Sequence, residues 1–445
     1  MAAETGRLAA VAAQCAAGGG PQLGVLETAI RAAFTRLGAG LLEDLLALDP
    51  GYRGPAIACG AGHTARFVSC RDKVTDTVLG PVTVRRAYYH CRECGHGVVP
   101  RDRELGTEHA SLSPGLRSMT AHAATAVPFA KATALLEEMA GVRLTVKRAE
   151  RSAEADGAAA RATDEAESAA ILARKVIPAR PRGPLPGILY IEVDGTGVPM
   201  TPAETAGRPG KGDDGRAHTR EVKLACLFTQ TRLDEDGRPL ADRGSASYLA
   251  TFAPAEEFGA LVAAEAIRRG SRHIRQLAVI GDGAKWIWVL AAARFPEATQ
   301  IVDLYHAREH LHDLADHLAF IVSDPDEWRA ERLAELDAGN IEAISRAARA
   351  YPLAGVKTGE LETKIGYFEA NAVRMRYARF RDLGLFTGSG AVEGGCKNVI
   401  GARLKQSGMR WSLRGADAIT HLRCQDASGT WNQIWPKIHN QTDAA

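Results

Sequence analysis

The sequence predicts an α/β protein whose centre is a mixed β-sheet covered by helices. Three observations lead there. Five apolar, β-rich runs between residues 187 and 306, namely ILYIEV, EVKLACLFTQ, SYLATF, LAVIG and TQIV, are interrupted by two helical stretches. Their order is strand, strand, strand, helix, strand, helix, strand. IPARPRGPLPG at 177–187 is a proline- and glycine-rich linker that sets this block apart from the text before it. Finally, 445 residues at 46% hydrophobic and 24% charged suffice for two or three domains with their own cores, which argues against disorder.

Residues 1–50 carry helical apolar spacing, with Leu26, Ile30, Ala33 and Leu37 followed by Leu41, Leu42, Leu45 and Leu46, and stop at Pro50. They read as a helical arm. The opening lacks the charged start and long apolar run of a signal peptide, and no apolar stretch reaches membrane-spanning length, so a cytoplasmic protein without a membrane partner is expected.

Residues 51–105 read as a small β module in which TARFVSC and PVTVRRAYYHC are broken at Gly80-Pro81 and closed by Cys91 and Cys94. The spacing Cys91-x2-Cys94-Gly95 is half of a tetrahedral zinc site. Cys59 and His63 are the candidates for the other half, although Gly62 stands where a second closely spaced cysteine would be usual. Cys70 or His90 are substitutes, and a zinc-free module with buried cysteines is the alternative. Zinc here would be structural, stapling a module with too little core of its own and exposing Arg85 and Arg86 for DNA. The remaining cysteines are scattered, which argues against a disulfide framework.

The formal net charge of +2 conceals local asymmetry. From Gly51 to Arg103 there are nine Lys/Arg against four Asp/Glu, and from Arg374 to Arg423 ten against three, so both segments can face a polyanion. Within 106–176 three helices are expected, the second ending at Gly141 and the third capped by Thr145. That is a helix-turn-helix pattern, and Lys147, Arg148 and Arg151 on the first turns of its last helix are candidate DNA contacts.

The strand order of the 177–306 block is that of an RNase H-like sheet. Residues 307–385 read as a helical insertion, and 386–445 as the return of the core with a basic tail. The run ILYIEV is expected to end at Asp194 and LAVIG at Asp282, so adjacent pairing would bring two carboxylates to one sheet edge. Glu393 is chosen as a third, from a helix that opens with Gly388, Ser389 and Gly390, small residues that let a DNA backbone approach. Three carboxylates suit two Mg²⁺ or Mn²⁺ ions, which stabilise charge on the attacking and leaving oxygens of a phosphodiester. The bland readings are that each Asp-Gly is a turn and that Glu393 pairs with Lys397 one turn on.

The phrases VDGTGVPM, GDGAKWIW, DLYHAREHL and GSGAVEGGCKNVIGARLKQSGMRWS, with the earlier GPVTVRRAYYHCRECG, resemble transposases of the ISKra4 insertion-sequence family, in order, from about Cys59 to Trp411. The resemblance implies a DDE triad of Asp194, Asp282 and Glu393 that binds two catalytic metal ions. It also implies a bacterial, nucleoid-associated enzyme acting on double-stranded DNA, with terminal inverted repeats and a target as substrates, and a homodimer that joins two ends. Asp303 and His306 form a D-x-x-H pair similar to that of Mutator-like transposases, which makes His306 a candidate for orienting the scissile phosphate. Lys397, Arg403 and Lys405 are expected to hold the DNA backbone. The rivals are an RNase H-like nuclease or resolvase without strand transfer, and an inactive transposase-derived DNA-binding protein.

Overall fold

The structure, a computed structural model, describes residues 2–17, 23–179, 186–210, 215–351 and 356–440. Most of the linker expected at 177–187 therefore lies outside the described residues, as do the last five of the expected basic tail. By its internal contacts the chain divides into two compact units, 1–157 with 433–445 and 158–432.

In the first unit, α1 (Ala2–Ala17) and α2 (Leu23–Ala47) are joined by an Arg36–Glu4 ion pair at 2.7 Å. An antiparallel sheet follows in the order β1 (Ala56–Ala58), β2 (Thr64–Thr77), β3 (Gly80–His90), β4 (Gly97–Val98). The β2–β3 turn is held by Thr77, whose hydroxyl donates to the Gly80 carbonyl at 2.8 Å and accepts from the Leu79 N–H at 3.1 Å. After the short α3 (Pro100–Glu104) come α4 (Pro114–Ala126), α5 (Phe129–Leu135) and α6 (Val146–Leu172), and the division between units falls within α6. Gly141, at φ +71°, ends the π-turn that continues α5, and the Thr145 hydroxyl caps α6 by accepting from Arg148 N at 3.3 Å. The three helices and both caps are the ones the local sequence signals specify.

The second unit holds the mixed sheet. Its strands are β5 (Ile188–Pro199), β6 (Thr219–Gln230) and β9 (Ser247–Thr251), then β10 (Gln276–Gly281) and β11 (Thr299–Val302). Short α7 (Pro202–Thr205) follows β5, and a small ribbon of β7 (Arg232–Leu233) and β8 (Pro239–Leu240) precedes β9. The order across the sheet is β11-β10-β5-β6-β9, with β5, β6 and β9 antiparallel and β10 and β11 parallel to β5. Residues 189–193 are buried without alternation, as a central strand covered on both faces requires.

Helices α8 (Ala255–Arg268) and α9 (Lys285–Arg294) cover one face, where a β-carbon on Gly281 would lie 2.8 Å from Ile287 of α9. After β11 the chain runs through α10 (Leu304–Leu318), α11 (Pro325–Ala338), α12 (Ile341–Arg349), α13 (Val356–Asn371) and α14 (Tyr377–Asp382). These helices are cross-tied by Arg308–Asp337 at 2.8 Å, Arg376–Glu342 at 2.5 Å and Arg349–Glu362 at 2.8 Å. The other face is covered by α15 (Gly390–Gly395), a π-turn at Cys396–Gly401, α16 (Ala402–Leu404) and α17 (Leu413–Ala427); α18 (Trp431–Asn440) ends the described chain. A part-buried pair, Arg161–Asp417 at 2.5 Å, ties α6 to α17. No helix among the described residues is long and apolar enough to cross a membrane.

Candidate functional site

The parallel pairing of β10 with β5 sets Val279 opposite Ile191 and Ile280 opposite Glu192. Two residues further, Asp282 comes level with Asp194. β5 does not end at Asp194 as the Asp-Gly dipeptide suggested. It continues to Pro199 because β6 offers a paired partner at every step, Asp194 facing Leu224 and Gly195 facing Lys223. What stops at Glu192 is the pairing with β10. A β-carbon on Gly195 would lie 2.5 Å from Glu221 Oε1, the tip of a half-exposed side chain that would have to swing aside. Asp282 does end its strand. Its Oδ1 accepts from Ala284 N at 2.9 Å, while Gly283 turns the chain at φ +100° beneath the Tyr367 ring.

Even-numbered residues of β5 face α15, because side chains alternate along a strand. Cys396 Sγ lies 3.2 Å from Asp194 Oδ2, and Glu393, one turn earlier, accepts from Ser389 Oγ at 3.3 Å. Among the described residues no ion pair joins Glu393 to Lys397. The start of α15 is held by two carboxylates, one inside β5 and one just past β11. Glu192 Oε2 accepts from Val392 N at 2.8 Å, and Asp303 Oδ2 accepts from Ser389 N. Asp303 Oδ1 also caps α10 by accepting from His306 N at 2.9 Å.

Glu192 is only 1% exposed, and burial pushes its carboxyl up to about 8 against the lowering effect of the Val392 and Ala391 N–H groups, with Asp303 and Glu393 adding to the rise. Sequence reasoning passed over Glu192. Its signal was present, a lone acid inside the apolar run ILYIEV, where burial demands a partner. Burial likewise raises the Cys396 thiol, with Asp194 reinforcing the effect. Tyr367 donates to the Asp282 carbonyl at 3.1 Å and stacks on His310 at 3.7 Å; burial lowers the His310 pKa. The His306 ring is set toward Glu309, 3.3 Å away, on the outside of α10.

Of the three expected backbone-holding cations beyond Glu393, Lys397 and Lys405 are exposed, and Lys405 reaches Thr196 Oγ1, two residues past Asp194 on β5. Arg403 is different. It is fully buried, with its guanidinium 4.9 Å over the Trp411 ring, and burial lowers its pKa to about 10. It follows buried Val399 by four residues and buried Val392 by eleven, spacings that return to one helix face, so it points into the core with them.

In the other unit the Cys59 and Cys94 sulfurs are 3.8 Å apart, and one ligand atom from each of Cys59, His63, Cys91 and Cys94 lies within 4.8 Å of all the others. This is the one group of three or more such side chains, among the described residues, that converges so closely. It can hold a metal ion. The β2–β3 pairing brings the two halves together, and the glycines at 60, 62 and 95, all at positive φ, let the loops turn back on themselves. The Ala61 and His63 N–H groups point at the Cys59 sulfur, the first most strongly, and hold its thiol below the ordinary range. Cys70 and His90 lie on β2 and β3, outside the cluster. The core beneath is small, built on Ala65, Ala87, Tyr89 and Cys91.

Two of the expected DNA contacts here have partners within the fold. Arg86 pairs with Asp102 at 2.5 Å, and Arg148 pairs with Asp76 at 2.5 Å while also donating to Ser111 Oγ at 2.9 Å. Lys147 pairs with Glu150 at 2.7 Å. Arg85 and Arg151 are exposed.

Compared with known proteins, the chain matches no family profile and no curated protein.

Proposed function

We propose that this protein is a DNA transposase of the ISKra4 kind with an RNase H-like catalytic unit. The observation that carries the proposal is the level placement of Asp194 and Asp282 at neighbouring parallel strands, with the helix bearing Glu393 tied to the same edge through Cys396–Asp194 and Glu192–Val392. The order β11-β10-β5-β6-β9, with three antiparallel strands followed by two parallel ones, supports the RNase H-like reading.

Among the described residues the oxygens of Asp194, Asp282 and Glu393 do not all lie within 4.8 Å of one another, so a divalent ion held by these hard donors would take further ligands from substrate phosphate. When bound there, Mg²⁺ or Mn²⁺ supplies charge stabilisation to the attacking and leaving oxygens. The protein's part is to position. Glu192 and Asp303 fix the start of α15, Tyr367 fixes the backbone at Asp282, and Lys397 and Lys405 hold the phosphate backbone. Water then cuts one strand to leave a 3′-OH, and that hydroxyl attacks a target phosphodiester in line, with no covalent protein intermediate. The cysteine–histidine cluster takes a structural Zn²⁺, and Arg85 and Arg151 contribute exposed cations for DNA.

The test incubates the protein with Mg²⁺ or Mn²⁺ and DNA carrying the inverted repeats that flank its gene, scoring cleavage and joining separately. Asp194→Asn, Asp282→Asn and Glu393→Gln should each bind DNA and do neither. Cutting without joining would favour a nuclease, and binding without any metal-dependent cutting would reduce the protein to a DNA-binding derivative.

A further inference from the structure

An apolar groove of about 790 Å³ runs between α8 and α9, and neither the carboxylates nor the zinc module uses it. Its floor is Gly259 against Leu290, where a β-carbon on Gly259 would lie 3.0 Å from the leucine. One wall is Val289, 61% exposed, and at the mouth stands half-buried Trp286. The location is set by topology. α9 starts three residues after Asp282, and α8 starts just past β9, whose C-terminal end lies on the same sheet edge as those of β5 and β10. The groove therefore starts from the sheet edge that bears Asp282 and runs along α9 to Arg294, on the sheet face away from α15, with none of the three carboxylates in its lining.

Lys285 and Arg294 stand on its rim with Glu256, and Lys223, opposite Gly195 in the sheet and paired with Glu221 at 3.2 Å, places its ammonium 5.6 Å over the Trp286 ring. An aromatic wall, an apolar floor and a cationic rim suit a flat heterocycle attached to a phosphate.

We infer that this groove receives one unpaired nucleobase of the strand whose phosphate lies at Asp194 and Asp282, with Trp286 stacking on the base and Lys285 holding its phosphate. The inference rests on the transposase reading above. Unpairing one base costs a few kcal/mol, which stacking on an aromatic side chain offsets in part.

The experiment measures single-turnover cleavage of inverted-repeat DNA with a single abasic nucleotide placed in turn at each position flanking the scissile phosphate. On paired DNA, Trp286→Ala should slow cleavage about 10- to 100-fold, the rate equivalent of losing one stacked base. At one abasic position that difference should collapse. Val289→Glu, at an exposed site that does not threaten folding, should slow paired DNA in the same direction and lose its effect at the same position. Equal slowing by Trp286→Ala on every substrate, or none on any, overturns the inference while wild-type cleavage leaves the transposase reading intact. Loss of self-association in Val289→Glu would assign the groove to a second copy and overturn it too. Wild-type protein that cuts none of these DNAs refutes both readings.

Discussion

Replacing Gly283 by alanine tests how Asp282 is held. Gly283 sits at φ +100°, a conformation that an L-residue adopts at a cost of about 1–3 kcal/mol. The added β-carbon would also lie 2.7 Å from Tyr367 Cε2 and 2.9 Å from its hydroxyl, and such overpacking typically adds about 1–3 kcal/mol. The loss of unfolded-chain freedom returns only about 0.4–1 kcal/mol. Gly237, in the β7–β8 turn, is the control, since its φ is +77° but nothing lies within 4 Å of the corresponding position. Gly283→Ala should therefore destabilise by about 1–3 kcal/mol more than Gly237→Ala, read as the difference in denaturant midpoint at constant m. Trimming the ring in the double variant Gly283→Ala/Tyr367→Ala should recover part of that excess, because the two sites are in contact. Metal-dependent DNA cleavage should fall in Gly283→Ala and stay near wild type in Gly237→Ala. Equal destabilisation by the two alanines, with no coupling to Tyr367, would refute the claim that the ring and the turn jointly fix Asp282.

Three further outcomes follow from the geometry. The protein should carry one zinc per chain by elemental analysis, and Cys91→Ser or Cys94→Ser should lose it and lower the melting temperature of the first unit, whose small core cannot substitute for the metal; zinc content unchanged in both variants would count against the cluster. Lys405→Ala should lower the slope of log affinity against log salt by about 1, whereas Arg403→Met should leave that slope unchanged, because only the lysine reaches solvent. The Glu342 carboxylate, held down to about 2 chiefly by its hydrogen bond to Arg376, contributes stability that is present above its unfolded value near 4.5 and is lost as pH falls toward 2. Wild type and Glu342→Gln should thus differ in denaturation midpoint at pH 7 and converge near pH 2.

Much of this protein was legible as local pattern. The apolar runs with their intervening helices dictated a mixed sheet, because the period and length of each run are properties of neighbouring residues. Gly141 and Thr145 marked the turn before α6 for the same reason, and Cys91-x2-Cys94 announced a cluster whose other half lay across the β2–β3 hairpin. Long-range pairing was not legible. That Glu192 rather than a bulk apolar residue fills the centre of β5 makes sense only once Val392, 200 positions away, presents an N–H to it. The same holds for Cys396 against Asp194 and for Asp303 against Ser389. Charge counting also could not tell what lies opposite each cation: Asp102 for Arg86, Asp76 for Arg148 and the Trp411 ring for buried Arg403. Sequence alone thus determined which elements form and which residue types can do chemistry. The tertiary structure decided which of those residues face solvent, which face one another, and which are spent holding the helix of Glu393 in place, because burial and charge are set by neighbours in space rather than in the chain.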